Sequence, residues 1–321
     1  FHGIYFVIVD SSVFQGDSIS HNGANGVYLI NGCDTVRIQD GYFRYNVLAG
    51  IDYRTGEKRS ILNNSADNNA TSAGNAYGIY LDGVANSIVN GNAADTNSGG
   101  SSSNGIGIAL ANCTGNIVSN NTASANTSGA SLGYGIFLST NSTGNTISGN
   151  TTNSNIFRGI AATSSPGNTF SGNTARLNVA GIHLQNNSMA SVVTGNILTA
   201  NSQYGIHLQS AMDSSIVAYN IIDSNTLYGV YASGCSGVLV VQNDIRQNGR
   251  YQIVIDAFAM SDTFQKNNIA PSTGQPDSGV LNGAIAAGAV LTFTRNWWGT
   301  ADSAAIRARI YQKSNADSVI Y

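Results

Sequence analysis

A glycine followed by isoleucine or valine returns about every two dozen residues, at Gly3, Gly26, Gly50, Gly78, Gly107, Gly135, Gly159, Gly181, Gly205 and Gly229. A steady period in this range means a stack of like units, none of which buries its apolar face alone. After each glycine the text alternates as a strand does, as in GVYL, GIYL and GIHL, with Ile and Leu on one face. A second column follows about 14 or 15 positions later: Asp17, Asp40, Asn64, Asn92, Asn121, Asn150, Asn173, Asn196, Asn220, Asn243 and Asn267. A third, Asn22, Asn46, Asn155, Asn201, Asn225 and Asn248, falls four residues before the next coil start. Three short strands per turn, each ended by Gly or Asn, make a coil that returns to its starting azimuth. Asn suits such bends because it tolerates the left-handed region. At about 4.8 Å per coil, stacked Asn side chains can bond one another.

Length alone suggests about two domains, but the repeat overrides that prior. The 321 residues carry 14 basic and 17 acidic side chains, a net charge of −3, and are 42% hydrophobic. That balance excludes a disordered chain, and the lack of a basic excess speaks against a nucleic-acid partner. No apolar run reaches the roughly 18 residues of a membrane span. Phe1 already sits inside the pattern and no initiator Met precedes it, so the native chain is expected to continue upstream.

The pattern resembles the right-handed parallel β-helix repeat proteins, which include pectate lyases, uronan epimerases, phage tailspikes and NosD-type periplasmic proteins. The fold class expected is therefore all-β, a single-stranded right-handed parallel β-helix of about 11–12 coils. Residues 1–268 are expected to form the coils, and 269–321 an irregular last coil with a C-terminal cap. There IAPSTGQPDSG reads as a loop, Asn296 takes the ladder position, and 302–312 reads as a short helix capped by Asp302. Cys33, Cys113 and Cys235 lie in coils two, five and ten. The closest pair is about 14 Å apart along the axis, too far for a disulfide and not a metal site.

Three coils are longer, by inserts after Asn64, Asn92 and Asn121, all at one corner. They should stack into a ridge, and insertions on one face of a solenoid are frequently its binding rim. Two outward columns follow each repeated Gly. The first runs Tyr5, Tyr28, Asp52, Tyr80, Ala109, Phe137, Ala161, His183, His207, Tyr231; the second contains Arg54, Asp82, Gln185 and Gln209. Exposed aromatics beside polar groups suit a glycan, whose rings stack while its hydroxyls need hydrogen bonds. The same aromatics also serve plain sheet stability. Tyr28, Phe137, His183, His207, Tyr231, Lys58 and Arg59 are the substrate-binding candidates.

Charge is concentrated. Residues 96–157 contain no Asp, Glu, Lys or Arg, whereas 34–59 hold Asp34, Arg37, Asp40, Arg44, Asp52, Arg54, Glu57, Lys58 and Arg59. Removing a proton beside a uronate carboxylate needs a cation, a base and a second donor. Asp52, Arg54, Tyr80 and Asp82 are the catalytic candidates for such a step. AGIDYR followed one coil later by GIYLD is similar to the mannuronan C5-epimerase arrangement: Gly50, Asp52 and Asp82 match. Ala49 stands where that family has its catalytic Tyr, Tyr53 replaces its Pro, and Arg54 its His. Arg54 and Asp82 share a column, so an ion pair between them is the plain alternative. His183 and His207 repeat in identical GIHLQ contexts and fall short of a metal ligand set.

The function expected is a secreted or cell-surface carbohydrate-interacting module, extracytoplasmic, with a polysaccharide or surface glycan as partner. The alternatives are a polysaccharide lyase or uronate C5-epimerase, and a structural stalk or tailspike-like fibre. No cofactor is expected, with calcium entering only for a lyase. The chain would be a monomer, or a trimer if a fibre, with no membrane insertion.

Overall fold

A computed structural model of the chain describes residues 1–130, 132–256, 261–270, 279–282, 290–312 and 318–320. The chain is an all-β parallel solenoid, divided into two compact units, Phe1–Thr169 and Phe170–Tyr321. In the first unit, strands Ile4–Val7, Val27–Ile30, Ala49–Glu57, Ala76–Ala85, Gly105–Ala111, Gly133–Ser139 and Arg158–Thr163 follow one another in a parallel first sheet. A second sheet runs from Val13–Gln15 to Thr146–Ser148, and a third side begins with Ser18–Ser20 and Tyr42–Arg44. The second unit repeats the scheme, for example with Ala180–Gln185, Tyr204–Gln209, Tyr228–Ser233 and Tyr251–Asp256 in its first sheet.

The glycine signal has a steric cause. A Cβ on Gly78 would lie 2.7 Å from the carbonyl oxygen of Gly107 in the next coil, and Gly26, Gly50 and Gly107 meet the same obstacle. Only a residue without a side chain lets the coils stack at strand spacing there.

The asparagine columns are internal ladders. Asn64, Asn92, Asn121 and Asn150 are each at most 2% exposed. Their Nδ2–Oδ1 bonds are 3.0, 2.9 and 2.9 Å. In the second unit Asn173, Asn196, Asn220, Asn243, Asn267 and Asn296 continue in the same way. Asn296 is thus in the ladder as expected. The ladder bonding read in the sequence is present, but the bend does not fall on these Asn. The left-handed residue is the one before it, such as Asn63, Asn120 or Lys266. The Asn itself turns inward and satisfies backbone groups of two coils. For the same reason Asp40, with φ 56°, is the bend, and Gly41 takes the ladder position by donating its N–H to Asn64. The column through Asn46 also continues where the inserts hide it, through Asn69, Asn97, Asn126 and on to Asn155.

A third inner column runs Arg59, Ser87, Asn116, Asn145, Asn168 in the first unit. Its counterpart in the second unit contains Ser191, Ser215, Val238 and Asp262. Asp262 is fully buried; one oxygen accepts the Val238 N–H at 2.9 Å and the other has no partner. Burial pushes its carboxyl up to about 7. The folded state therefore holds a proton that the unfolded chain releases, and stability should fall as pH rises from about 4 to 7. Asp262→Asn supplies the donor that the Asn ladders use. It should flatten that slope and raise stability at pH 8 by on the order of 2–4 kcal/mol, read by urea unfolding at both pH values.

The three cysteines are free and buried. The helix is shorter than expected: Asp302 caps Ser303–Ala308, accepting from the Ala304 N–H at 2.9 Å, and Ile310–Gln312 is a strand. Six residues leave nothing to continue past Arg309, whose N–H already closes the last turn. The proline-containing loop at 271–278 lies outside the described residues. The inserts do stack, with Ser98–Gly99 pairing Thr127–Ser128 and Ala70 bridging Ser98.

Candidate functional site

The outer face of the first sheet in the first unit gathers Tyr5, Tyr28, Asp52, Tyr80, Ala109, Phe137 and Ala161 in one register. Asp52 is 3% exposed although it lies on this outer face. Arg54 folds back over it, Nε to Oδ1 at 3.0 Å and Nη2 to Oδ2 at 3.1 Å. Asn25 adds a third bond, Nδ2 to Oδ2 at 2.8 Å. Arg54 thus pairs with Asp52, two residues away on the same face, rather than with its column neighbour Asp82. A fork matches a carboxylate side-on better than it spans to the next coil. The Arg54 Cζ sits 5.3 Å from the Tyr28 ring centre and 5.4 Å from that of Tyr80. Its side chain keeps 42% of its surface exposed.

Asp82 accepts from Asn112 Nδ2 at 3.0 Å and from the Tyr80 hydroxyl at 3.4 Å. Burial, then Asp82, pushes the Tyr80 phenol up; burial also raises Tyr28 and Tyr77. The carboxyl of Asp52 is raised by burial, against the pull of Arg54 and Asn25, while the Asp52 bond drives the Arg54 guanidinium higher still. The two bonds of this one bidentate pair, with the third from Asn25, favour the ionised form, so Asp52 is a carboxylate held by Arg54.

Asp52, Arg54, Tyr80, Asp82 and Tyr28 are therefore brought together. The other candidates are not. Arg59 is 1% exposed and turned inward, with Nε on the Cys33 carbonyl at 2.6 Å and its guanidinium 3.7 Å over the Tyr53 ring. It cannot reach a ligand, because its parity is that of the core residue Ile61. Lys58 stands at the corner beside Glu57, 3.5 Å away. Phe137 stacks on Tyr134 at 4.8 Å and packs over Ala109 and Ala161 with Leu132 of an insert. His183, His207 and Tyr231 lie in the second unit. His183 is 1% exposed, its ring 4.2 Å from that of His207 and its Nε2 3.1 Å from Gln209 Oε1. Tyr231 stacks on His207 at 4.8 Å.

Three neighbours escape a reading that starts after each Gly: His2, Asn25 and Tyr77. Ala49, Tyr77, Ile106, Tyr134 and Arg158 form a further register just before it. The bend at Gly brings that residue back to the outer face. Tyr77 stacks on Tyr80 at 4.6 Å and sits one coil below Ala49, where the epimerase likeness expects a Tyr. His2 stacks on Tyr28 at 4.7 Å, and its Nδ1 takes the Asn25 N–H at 3.3 Å. Burial lowers this imidazole, so it is neutral near pH 7.

The family model described as right handed beta helix region matches residues 2–175. The chain belongs to that family. A second model, described as periplasmic copper-binding protein (NosD), matches residues 130–274. No curated protein matches in sequence. Among solved structures, this β-helix is similar to a variant of the periplasmic alginate epimerase AlgG, at 16% identity over 81% of this chain and 78% of that one, TM-score 0.57. The Dettilon tailspike protein follows at 13% identity, covering 98% and 63%, TM-score 0.55. The A-module of a mannuronan C-5 epimerase from Azotobacter vinelandii gives 13%, 98% and 88%, TM-score 0.50. Likeness at these identities speaks for the fold.

Copper does not fit the donors present. Among the described residues no three His, Cys, Asp or Glu side chains converge. The stacked pair His183 and His207 supplies two imidazoles where a closed site takes three or four ligands.

Proposed function

We propose that the outer face around Arg54 in the first unit binds an acidic polysaccharide outside the cytoplasm. The observation that carries this reading is the Arg54 fork. Asp52 takes one edge, Tyr28 and Tyr80 flank it, and the other edge is left toward solvent. Such a preorganised guanidinium can take a second carboxylate, while the flanking rings accept the apolar face of a sugar. Solved structures of similar fold carry the names of alginate and mannuronan epimerases, which agrees with a uronate as the acid.

Binding fits this geometry better than turnover. Both oxygens of Asp52 already accept hydrogen bonds, and Asp82 accepts from Tyr80 and Asn112. The phenols are held protonated by burial. His2 uses Nδ1 as an acceptor, which places its proton on Nε2. A free base, which proton abstraction at C5 requires, is missing from this set.

Calorimetry with polygalacturonate and with alginate should show binding that weakens with salt. Arg54→Ala should lower the affinity at least tenfold, about 1.4 kcal/mol or more. Arg54→Lys, a point charge without the fork, should restore only part. Unchanged affinity in Arg54→Ala would end this proposal. Formation of unsaturated product, or an inverted uronate seen by NMR, would move it to a lyase or epimerase.

A further inference from the structure

The third side of the first unit carries a feature outside that face. Its outward column reads Ser18, Tyr42, Ser65, Ala93, Thr122, Thr151 by strand pairing and bridges. Tyr42 is the one large side chain in it and is 51% exposed. A hollow of about 380 Å³ lies on each side. One is lined by Ser18, Ser20, His21, Tyr42, Arg44 and Tyr45. The other lies beyond Tyr42 toward Asn63, Ser65 and Gly91.

Tyr45 is 53% exposed and stacks on His21 at 5.2 Å. Both occupy the left-handed corner, with φ of 57° and 60°, which later coils turn with Asn68, Thr96, Ala125 and Ser154. A bulky residue there costs roughly 1–2 kcal/mol over glycine, and Asn carries less of that strain. The His21 stack offsets part of this cost, and the rest of the Tyr45 ring faces solvent. Two exposed aromatics lining one hollow, Tyr42 and Tyr45, point to recognition of a ligand.

The charges at the rim are already met. Arg44 lies 4.8 Å over the Tyr42 ring while its Nε bonds Ser65 Oγ and stands 3.5 Å from Asp67. Asp40 accepts from Gln15 and Gln39, each at 3.3 Å. What remains is two aromatic faces, the hydroxyls of Ser18, Tyr42 and Tyr45, and the His21 imidazole, whose Nδ1 lies 3.2 Å from Ser20 Oγ. We propose that this hollow binds a neutral pyranose sugar, stacked on Tyr42 and hydrogen-bonded by Ser18 and His21, separately from the acidic-polymer face.

The test is saturation-transfer NMR of the whole chain with the methyl glycosides of glucose, galactose, mannose and N-acetylglucosamine. At least one should take up signal on its ring C–H protons, and Tyr42→Ala should remove most of it. Tyr45→Asn is the folding control. It places a residue suited to the left-handed corner, so the melting temperature should hold or rise while the signal falls. Arg54→Ala should leave the signal unchanged. The proposal is overturned if no glycoside receives signal, if Tyr42→Ala leaves it intact, or if Arg54→Ala removes it. The last result would assign sugar binding to the face around Arg54 instead.

Discussion

Asn121→Ala should destabilise the first unit by about 3 kcal/mol. The side chain is 1% exposed and works on both neighbouring coils. Its Oδ1 accepts the Asn92 N–H and Asn92 Nδ2, both at 2.9 Å; its Nδ2 donates to the Val89 carbonyl at 3.0 Å and to Asn150 Oδ1 at 2.9 Å. Truncation leaves the Asn92 N–H buried without its acceptor and takes the side-chain bond from the Val89 carbonyl. Such an orphan costs about 1–3 kcal/mol. The Asn92 amide has another acceptor for Nδ2, the Ile61 carbonyl, so the loss does not travel far along the ladder. In a solenoid each coil touches only its neighbours. Hydrogen exchange should therefore quicken first at the Asn92 amide, and a uniform rise across the unit would contradict a local ladder. Asn120→Ala, next door at φ 54°, gives the comparison, because it loses corner geometry and no buried bond.

That contrast between Asn120 and Asn121 also marks what the letters could and could not say. A period of two dozen residues fixes that coils stack, because the glycine at each coil start meets backbone from the next. It does not fix which of two adjacent polar residues turns inward. SNN, NGN and QDG all place a left-handed residue before the ladder position, so an Asp read one place early, Asp40, lands on the bend. Asn69, Asn97 and Asn126 were obscured for another reason: the inserts follow them and change the distance to the next glycine. Composition carries no trace of an offset that only hydrogen bonding reveals.

The candidate site was legible to the extent that it follows strand alternation. Tyr28, Asp52, Tyr80 and the pair Arg54 and Asp82 are each two residues or one coil apart, and they meet. Arg54 choosing Asp52 over Asp82 follows from the fork, whose reach the column count ignores. His2, Asn25 and Tyr77 sit before the glycine bend, where alternation restarts, so parity counted after it assigns them no face. The aromatic letters at Tyr77, Tyr134, Tyr204 and Tyr228 were the available signal for that second outward register.

Arg59 is the second place where a large effect is expected, and it tests the same parity rule. Beyond Gly56, whose φ is 133°, alternation is reset, and Arg59 joins the inner column with Ser87 and Asn116. Its guanidinium caps the Cys33 and Thr55 carbonyls and stands 3.6 Å from Asp34. Arg59→Ala removes a filled volume as well as those donors, and should cost about 3–5 kcal/mol in urea unfolding. Tyr53 still caps the Cys33 carbonyl through its hydroxyl at 2.8 Å and the Gly32 N–H still donates to the Thr55 carbonyl at 3.2 Å, so the vacated space dominates the loss. Arg59→Met refills most of the space without a charge to desolvate, and should recover more than half of it. Gly56→Ala should approach the same cost by a different route. Its Cβ would lie 1.6 Å from Arg59 Nη2, at a φ that L residues rarely adopt. If Arg59 instead faced solvent, Arg59→Ala and Arg59→Met would stay within about 0.5 kcal/mol. Affinity for polygalacturonate would then fall with Arg59 as it does with Arg54.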